Sequence, residues 1–357
     1  MDTATAISGD AESPLSAIPA PLRGLFPFLL ALPLLLLFQW ALSDSPFAAL
    51  LVCTVGVNIV LAVSLNIVNG MTGQFSIGHA GFMAVGAYLS SVLSLQLREV
   101  AISGIPVWAS DQLVFLGVLL VGGLSAAFAG FLVGLPSLRL RGDYLAIVTL
   151  GFGEIIRVVV QNTNAFGRAL GLSGIPQTST VASVGFWVFL VVLVARRIAG
   201  SSHGRSLWAI REDEVAAEAM GVNTTAYKVR AFVVSSFFAG IAGGLFAHLF
   251  TVINPGSFTF VKSMEIVVMV VLGGLGSTTG AIVAATFLTL LPEGLRSLFT
   301  YFGAEGSLAQ KVDQIRMPVY GLLLVALMLS RPQGLFGTRE IWDVLPRWLP
   351  RRRKGIT

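Results

Sequence analysis

Long apolar stretches alternate with short polar ones along most of this chain. A helix needs roughly 20 apolar residues to cross a bilayer, and fewer where it is broken or re-entrant. On that basis we predict about ten transmembrane or re-entrant helices. The predicted segments are Leu25–Leu42, Phe47–Ile67, Phe75–Leu95, Leu113–Leu135, Tyr144–Val160, Val181–Ala195, Val229–Phe250, Met264–Leu275, Ala281–Leu291 and Met317–Leu329.

The eighth and ninth segments are each too short to cross a membrane alone. They flank the glycine-rich sequence Gly273–Ser277, so they form either a re-entrant pair or one broken helix. We favour a pair, because a single crossing would place the basic C-terminal end outside the cell.

The composition of the chain fits a bilayer environment. Hydrophobic residues make up 55% of the 357 residues and charged residues 11%, whereas soluble domains carry about 25% charged residues. The predicted fold class is therefore an all-α polytopic membrane protein. The single cysteine, Cys53, lies in an apolar run, which argues against a disulfide framework or a cysteine metal site.

Clusters of basic residues predict the orientation in the membrane. With the N-terminus in the cytoplasm, three basic regions fall on the cytoplasmic side: Arg139 with Arg141, the loop 196–228, and Arg351–Lys354. This clustering indicates an orientation signal rather than nucleic-acid binding.

The same pattern divides the chain into a membrane domain and two tails. We expect residues 1–24 to be a retained cytoplasmic tail, because their acidic charge is unlike that of a signal peptide. Residues 25–337 form the membrane domain, and the basic residues 338–357 form a cytoplasmic C-terminal tail.

The segment from Asn66 to Gly81 is unusually polar for a membrane helix. Irregular backbone at membrane depth persists only where protein or water satisfies it. The segment therefore either lines a conduit or satisfies a broken helix through close packing. For His79 the sequence leaves three interpretations open: a hydrogen-bonded histidine in the interior, a ligand, or a proton relay. The candidate path residues here are Asn66, Asn69, Gln74, Ser76 and His79.

Two ionisable residues lie in the fifth segment. Glu154 and Arg157 are three residues apart on one helical face, so they can pair. Ionisable groups within a span usually face the interior of the helix bundle. Glu154, with the nearby Thr149, is therefore either an element of the solute path or part of a structural pair.

The loop 196–228 is too polar to span a membrane. Its residues predict a helix of about ten residues from Glu212 to Met220, with acids in the first turn. Gly221 suits the position after the C-terminal end of the helix. The alanines of this helix give a shallow face, which indicates either a docking element or a solvated surface helix.

The sequence carries no sign of catalytic chemistry. It lacks a Gly-x4-Gly-Lys-Ser/Thr phosphate loop, and its histidines, His79, His203 and His248, lack metal-ligand spacing. We expect no catalytic residues, no metal and no cofactor.

Four motifs together resemble the LivM-type permease subunits of branched-chain amino acid ABC importers. They are Ser76–Tyr88, Gly142–Arg157, Val271–Ser277 and Arg331–Gly337. The sequence Glu214–Gly221 resembles the "EAA" loop of ABC-importer permeases, although Val215 takes the place of the glutamate that directly precedes the alanines. The glycine-rich outer loop of the family is altered here to Phe166–Ile175.

The resemblance implies an ABC-importer permease fold in the bacterial inner membrane. It implies a LivH-like second permease subunit, two ABC ATPase subunits and a periplasmic substrate-binding protein as partners, with membrane lipid around the helices. Coupling to the ATPases would involve Glu214, Ala216, Ala217 and Gly221. The expected cargo is a branched-chain amino acid, and relatives that carry urea, short amides or aromatic acids keep other small solutes open. A self-sufficient secondary transporter is the alternative from another class, but the chain offers few intramembrane carboxylates for ion coupling.

Overall fold

The computed structural model describes residues 36–37, 39, 45–97, 106–137, 143–301, 318–322, 325–326, 329–330, 333–337 and 340. Helices dominate these residues. They are α1 (Pro46–Asn69), α2 (His79–Gln96), α3 (Val107–Ser137), α4 (Asp143–Asn162), α5 (Val181–Ala199), α6 (Ser202–Glu212), α7 (Glu214–Ala219), α8 (Thr224–Phe250), α9 (Phe260–Gly273) and α10 (Thr278–Tyr301).

Six of the described helices are long and apolar enough to cross a membrane. These spans are Pro46–Asn69, Ser110–Pro136, Tyr144–Asn162, Val181–Ala199, Thr224–Phe250 and Thr278–Ser297. The many-helix membrane architecture that the apolar pattern predicts is therefore confirmed at this level. The predicted segment Leu25–Leu42 and the tails lie largely or wholly outside the described residues, as does most of Met317–Leu329.

Helix α8 lies at the centre of the bundle and packs against α1, α2 and α3. Glycines allow its backbone to approach its neighbours closely. A Cβ atom built on Gly86 of α2 would lie 2.2 Å from the Cα atom of Gly240 in α8. Since no side chain fits at this crossing, small residues permit the contact, as is typical between membrane helices.

Helices α9 and α10 form a hairpin at the glycine-rich sequence. The backbones of Gly273 and Gly280 pack so tightly that a Cβ atom on Gly273 would lie 2.4 Å from the carbonyl carbon of Gly280. At 14 residues, α9 is about 21 Å long, which is short for a hydrocarbon core of about 30 Å.

The prediction that the ninth segment is too short to cross was wrong. The apolar run ends near Pro292, but α10 continues to Tyr301. A proline inside a helix leaves the carbonyl four residues earlier without its usual donor. Here the hydroxyl of Tyr320 donates to the Leu288 carbonyl at 2.6 Å, and this bond compensates for the missing N–H.

Two short strands mark one face of the bundle. Strand β1 (Leu172–Ser173) follows α4, and β2 (Val252–Ile253) follows α8. The strands pair antiparallel, with Leu172 opposite Ile253. The C-terminal ends of α4 and α8 therefore lie on the same face, and the altered glycine-rich loop lies there too.

Candidate functional site

The chain between α1 and α2, residues 70–78, is a non-helical glycine break inside the bundle. Asn69 stabilises this segment through both the oxygen and the nitrogen of its side-chain amide. The Ser76 N–H donates to Asn69 Oδ1 at 3.1 Å, and Asn69 Nδ2 donates to the Ser76 carbonyl at 3.2 Å. An asparagine side chain thus replaces the backbone partner that the broken helix lacks.

Helix α4 closes the other side of this first glycine break. The hydroxyl of Thr149 accepts a hydrogen bond from the Ile77 N–H at 3.1 Å. A Cβ atom on Gly78 would lie 2.2 Å from the Thr149 carbonyl oxygen. His79 is buried, with its Nε2 atom 2.9 Å from the Ser64 hydroxyl oxygen.

The second glycine break comprises residues 273–277, between α9 and α10. Part of the motif Arg331–Gly337 packs on it. The N–H groups of Leu335 and Phe336 donate to the carbonyls of Leu272 and Gly273 at 3.0 and 3.2 Å. Gly334 lies against Gly274, with no room for a Cβ atom on either residue. This motif therefore completes the end of α9.

Glu340 satisfies the N-terminus of α10 at the same place. Its carboxylate accepts hydrogen bonds from the N–H groups of Thr278 and Thr279 at 2.7 and 3.0 Å. The hydroxyl of Thr279 also donates to this carboxylate. A carboxylate is favourable there because the first N–H groups of a helix have no partner within the helix.

The two glycine breaks meet, and side chains join them. The Gly276 N–H donates to Asn66 Oδ1 at 2.8 Å. Arg211 Nη1 donates to the carbonyl of Gly70 in the first break at 2.7 Å. The same atom lies 3.3 Å from the Leu275 carbonyl in the second break, to which it also donates. We call this meeting of the two breaks, Asn66 and Arg211 the junction.

Arg211 belongs to the polar loop 196–228, so the loop contacts the junction directly. The guanidinium lies over the ring of Trp208, 5.2 Å from its centroid. Gly276 has φ of 89°. A Cβ atom at this position would overlap Trp208 and Arg211. Arg211 and Trp208 thus fit between the two breaks because glycine occupies the facing position.

The helix predicted from Glu212 to Met220 is shorter than expected, so that prediction was wrong in its bounds: Glu212 is the last residue of α6, and α7 covers only Glu214–Ala219. Asp213 separates α6 from α7 and caps the latter, because its carboxylate accepts from the N–H groups of Val215 and Ala216 at 2.9 and 3.0 Å. Such capping requires extended backbone at Asp213 and interrupts a continuous helix.

Gly221 ends α7 as the sequence predicts. It has φ of 85°, its N–H donates to the Glu218 carbonyl, and the Val222 N–H donates to the Ala217 carbonyl. This is the Schellman pattern, in which glycine adopts the left-handed conformation at low cost.

The other predicted loop residues divide into inward and outward positions. Ala217 is buried, whereas Ala216 lies at the surface. Glu214 pairs with Lys228 of α8 at 2.6 Å, and the Lys228 side chain is only 3% exposed. Val215 and Met220 are 62% and 85% exposed. The exposed surface of α7 therefore combines small and apolar side chains with the acidic Glu218.

Most of the predicted path residues are buried at or near the junction. They are Asn66, Asn69, Gln74, Ser76, His79 and Thr149. Gln74 Oε1 has no hydrogen-bond partner among the described residues. Glu154 lies apart from them on α4, partly exposed, and pairs with Arg157 at 2.6 Å. The pairing of these two residues that their spacing indicates is thus present.

Sequence reasoning missed Arg211 and Trp208 as parts of the junction. Arg211 counts in the sequence only as one of several basic residues that indicate orientation. Its contact with Gly70 joins positions 141 residues apart, which no local pattern reveals. The glycine at 276 was the available signal, since a glycine in a turn also permits close approach by another group.

Comparison with known proteins shows similarity to transport permeases. A family model described as the permease component of branched-chain amino acid transport systems matches residues 47–329. The high-affinity branched-chain amino acid transport system permease protein LivM of Escherichia coli (strain K12) is 36% identical over 343 aligned residues, covering 86% of this chain and 74% of that protein.

More distant relatives have similar names. A probable branched-chain amino acid transport permease protein LivM of Methanocaldococcus jannaschii is 28% identical over 320 residues, covering 80% of this chain and 92% of that protein. The permease protein LivH of Escherichia coli (strain K12) is 25% identical over 307 residues, with the same coverage. No solved structure matches the chain at a significant level.

Proposed function

Because the chain belongs to the family of branched-chain amino acid transport permeases, we propose that it is a membrane subunit of an ATP-driven importer of these amino acids. The observation that carries the proposal is the family match over residues 47–329, together with 36% identity to a LivM permease. The permease itself is non-catalytic, and ATP hydrolysis belongs to partner subunits.

In this proposal, the two ends of the helix bundle lie at opposite faces of the membrane. The loop 196–228 lies at the cytoplasmic face, together with the junction and both tails. The face with β1 and β2 is then external, in the inner membrane of a bacterium. Two contacts support which elements share an end of the bundle: Arg211 reaches the ends of α1 and α9, and β1 pairs with β2 at the ends of α4 and α8. The basic residues of the loop support its cytoplasmic position.

Coupling to the ATPase subunits takes place at α7. Its exposed Ala216, Val215 and Met220 would contact an ATPase, while Glu214 and Gly221 keep the helix in place. The support is that α7 is short, capped at both ends and fixed to α8 by the Glu214–Lys228 pair. Movement of the loop would reach both glycine breaks through Arg211.

The solute path runs beside the junction. Asn66, Asn69, Gln74, Ser76, His79 and Thr149 border it, and Glu154 lies further along α4. Their burial supports a closed gate at this level, in which amides and hydroxyls satisfy the broken backbone. Opening of the path would have to separate Asn66 from Gly276 or Thr149 from Ile77.

The complex contains a second, LivH-like permease, two ABC ATPase subunits and a periplasmic substrate-binding protein. Similarity of this chain to proteins named LivM and LivH supports a pair of related permeases. Membrane lipid covers the remaining outward faces.

Reconstitution tests the proposed function. The complete set of subunits in proteoliposomes should accumulate leucine, isoleucine or valine only with ATP inside and the binding protein outside. A complex with a hydrolysis-deficient ATPase is the control. Uptake by this chain alone under an ion gradient would instead support a secondary transporter, and uptake of urea, amides or aromatic acids in preference would change the cargo.

Co-purification tests the docking of α7. Ala216→Arg and Met220→Glu should reduce recovery of the ATPase, because both positions are exposed. Ala217→Arg is a weaker test, since Ala217 is buried and its replacement would disturb α7 itself. Arg205→Glu, on the exposed surface of α6, is a control that should leave recovery unchanged. Full ATPase recovery with both α7 variants would contradict docking there.

A further inference from the structure

A cavity of about 390 Å³ opens among α1, α8, α9 and α10, away from the junction. Its wall is mostly apolar and includes Leu51, Phe246, Phe250 and Met269. Small-molecule sites typically have volumes of about 300–1,000 Å³ and mostly apolar walls with a few polar groups. The volume therefore suits a small solute.

The cavity extends from the middle of the helices toward the face with β2. Asn58 lies 11 residues before the end of α1, which is about 16 Å along a helix. Thr289 lies 11 residues after the start of α10, at a similar distance from the second break. Phe250, at the end of α8, lies near the opposite face. The cavity thus occupies the half of the membrane domain that faces away from the junction.

Ionisable side chains of α9 and α10 line this cavity. Lys262 Nζ lies 3.1 Å from Glu265 Oε2 and 3.2 Å from Asn58 Oδ1. Glu293 also lines the wall and pairs with Arg296 at 2.8 Å. Charged groups inside a membrane domain are costly, and they usually face water-filled cavities or solute pathways. Each acid pairs with a cation three residues away on its own helix, so two ion pairs lie beside the apolar wall of this cavity.

The chemistry of these groups fits both charges of an amino acid. An ammonium has three N–H donors, and two of those of Lys262 are directed at Glu265 and Asn58. The third can donate to a carboxylate. Each oxygen of Glu293 has acceptor capacity beyond its bond to Arg296, so this carboxylate can accept from an ammonium.

We propose that this cavity is a transit site for a zwitterionic amino acid with an apolar side chain. Lys262 binds the carboxylate of the solute, Glu293 binds its ammonium, and Phe246, Phe250 and Met269 contact its side chain. This inference rests on the proposed function, since it assumes that amino acids pass through the membrane beside this chain.

Cysteine protection in the complete transporter tests the site. Cys53→Ala removes the only cysteine of the chain, and Thr54→Cys then places a thiol in the cavity wall. Reaction of this thiol with a small methanethiosulfonate should slow at least fivefold with excess leucine. Isocaproate, which lacks the ammonium, and isopentylamine, which lacks the carboxylate, should protect less.

Lys262 variants identify the group that binds the carboxylate. Lys262→Met should lower protection by leucine to the weak level of isopentylamine and leave the effect of isopentylamine unchanged, while Lys262→Arg should retain protection by leucine. A thiol at the exposed position Val252, outside the cavity, is the control and should react at the same rate with or without leucine. Thermal unfolding of each complex shows whether a variant is folded.

Two outcomes would overturn the proposal. They are an unchanged labelling rate with leucine, and equal protection by leucine, isocaproate and isopentylamine, which would indicate a lipid-filled cleft. ATP-driven leucine uptake, measured in the same preparation, distinguishes failure of the proposed function from failure of the transit site. Absence of uptake by the unmodified complex counts against the proposed function, whereas normal uptake without protection counts only against the transit site.

Discussion

Arg211 Nη1 donates a hydrogen bond to the carbonyl of Gly70 at 2.7 Å, so the polar loop is bonded to the C-terminal end of α1. The same nitrogen also donates to Leu275 in the second break. One side chain therefore contacts both interruptions of the helical bundle. A shift of α6 cannot leave either break undisturbed.

Replacement of Arg211 should uncouple the loop from the membrane helices. Arg211→Ala removes two charge-assisted hydrogen bonds, each worth about 1.5–3 kcal/mol, and we expect leucine uptake to fall at least about tenfold. Arg211→Lys should also fail, because an ammonium cannot reproduce the planar contact with Trp208. Uptake and ATPase activity of the reconstituted complex measure the effect.

The control for Arg211 is Arg205, which lies exposed on the same helix. Arg205→Ala should preserve both uptake and ATPase activity. If Arg211→Ala transports leucine at the normal rate per ATP hydrolysed, the loop acts on the breaks through other contacts.

The Glu214–Lys228 pair should stabilise the loop against unfolding. Glu214→Gln leaves a nearly buried ammonium without its counter-charge. We expect a loss of roughly 2–4 kcal/mol, somewhat less than for a fully buried pair because Glu214 is partly exposed. Glu214→Gln combined with Lys228→Met should recover much of the loss. The measurement is a double-mutant cycle on thermal unfolding, with Glu218→Gln as the exposed control on α7. Additive effects would show that the pair contributes nothing.

The hydroxyl of Tyr320 should stabilise the folded protein only while residue 292 is proline. Tyr320→Phe leaves the Leu288 carbonyl without a donor, at a cost of about 1–3 kcal/mol. Pro292→Ala restores a backbone N–H, so Tyr320→Phe should be nearly neutral in that background. Thermal stability of the four combinations tests this. An equal loss in both backgrounds would mean that the hydroxyl does not act through Leu288.

The close crossing at Gly86 and Gly240 should not tolerate a larger side chain. Gly86→Val should lower the yield of folded protein severely, since even a Cβ atom would overlap the backbone of Gly240. Gly117→Ala is the matched control, because no atom lies within 4 Å of the added carbon. That change should be neutral or stabilise α3 by up to about 1 kcal/mol. Size-exclusion profiles in detergent compare the two, and a normal profile for Gly86→Val would show that the crossing can widen.

The apolar pattern predicts where the membrane helices lie because burial in lipid requires long runs of apolar residues. Their ends depend on other forces. Helix α8 begins at Thr224, since Asn223 caps it by accepting from the Ala226 N–H, and its first turns contain the charged Lys228. Helix α10 passes through Pro292 because a distant tyrosine supplies the donor. Neither effect has a local apolar signal.

The candidate site was less predictable than the fold. Composition identifies the polar segment at Asn66 and the loop at Glu214, because both differ from their apolar surroundings. It does not show that they belong together. Their connection depends on Arg211 and Gly276, which face each other only after the bundle has formed. Side chains that act across the fold have no characteristic spacing in the sequence.

The pairing of β1 with β2 has a mechanical consequence for the face opposite the junction. The Ile175 N–H donates to the Thr251 carbonyl, beside the strand pairing of Leu172 with Ile253. Gly171 lies against the Ile253 carbonyl, where no larger residue fits. The strand pairing and the adjoining hydrogen bond thus hold the C-terminal ends of α4 and α8 together. We expect a protein that binds to the face with β1 and β2 to displace α4 and α8 together. Because α8 begins directly after the loop 196–228, a displacement of α8 would also move that loop.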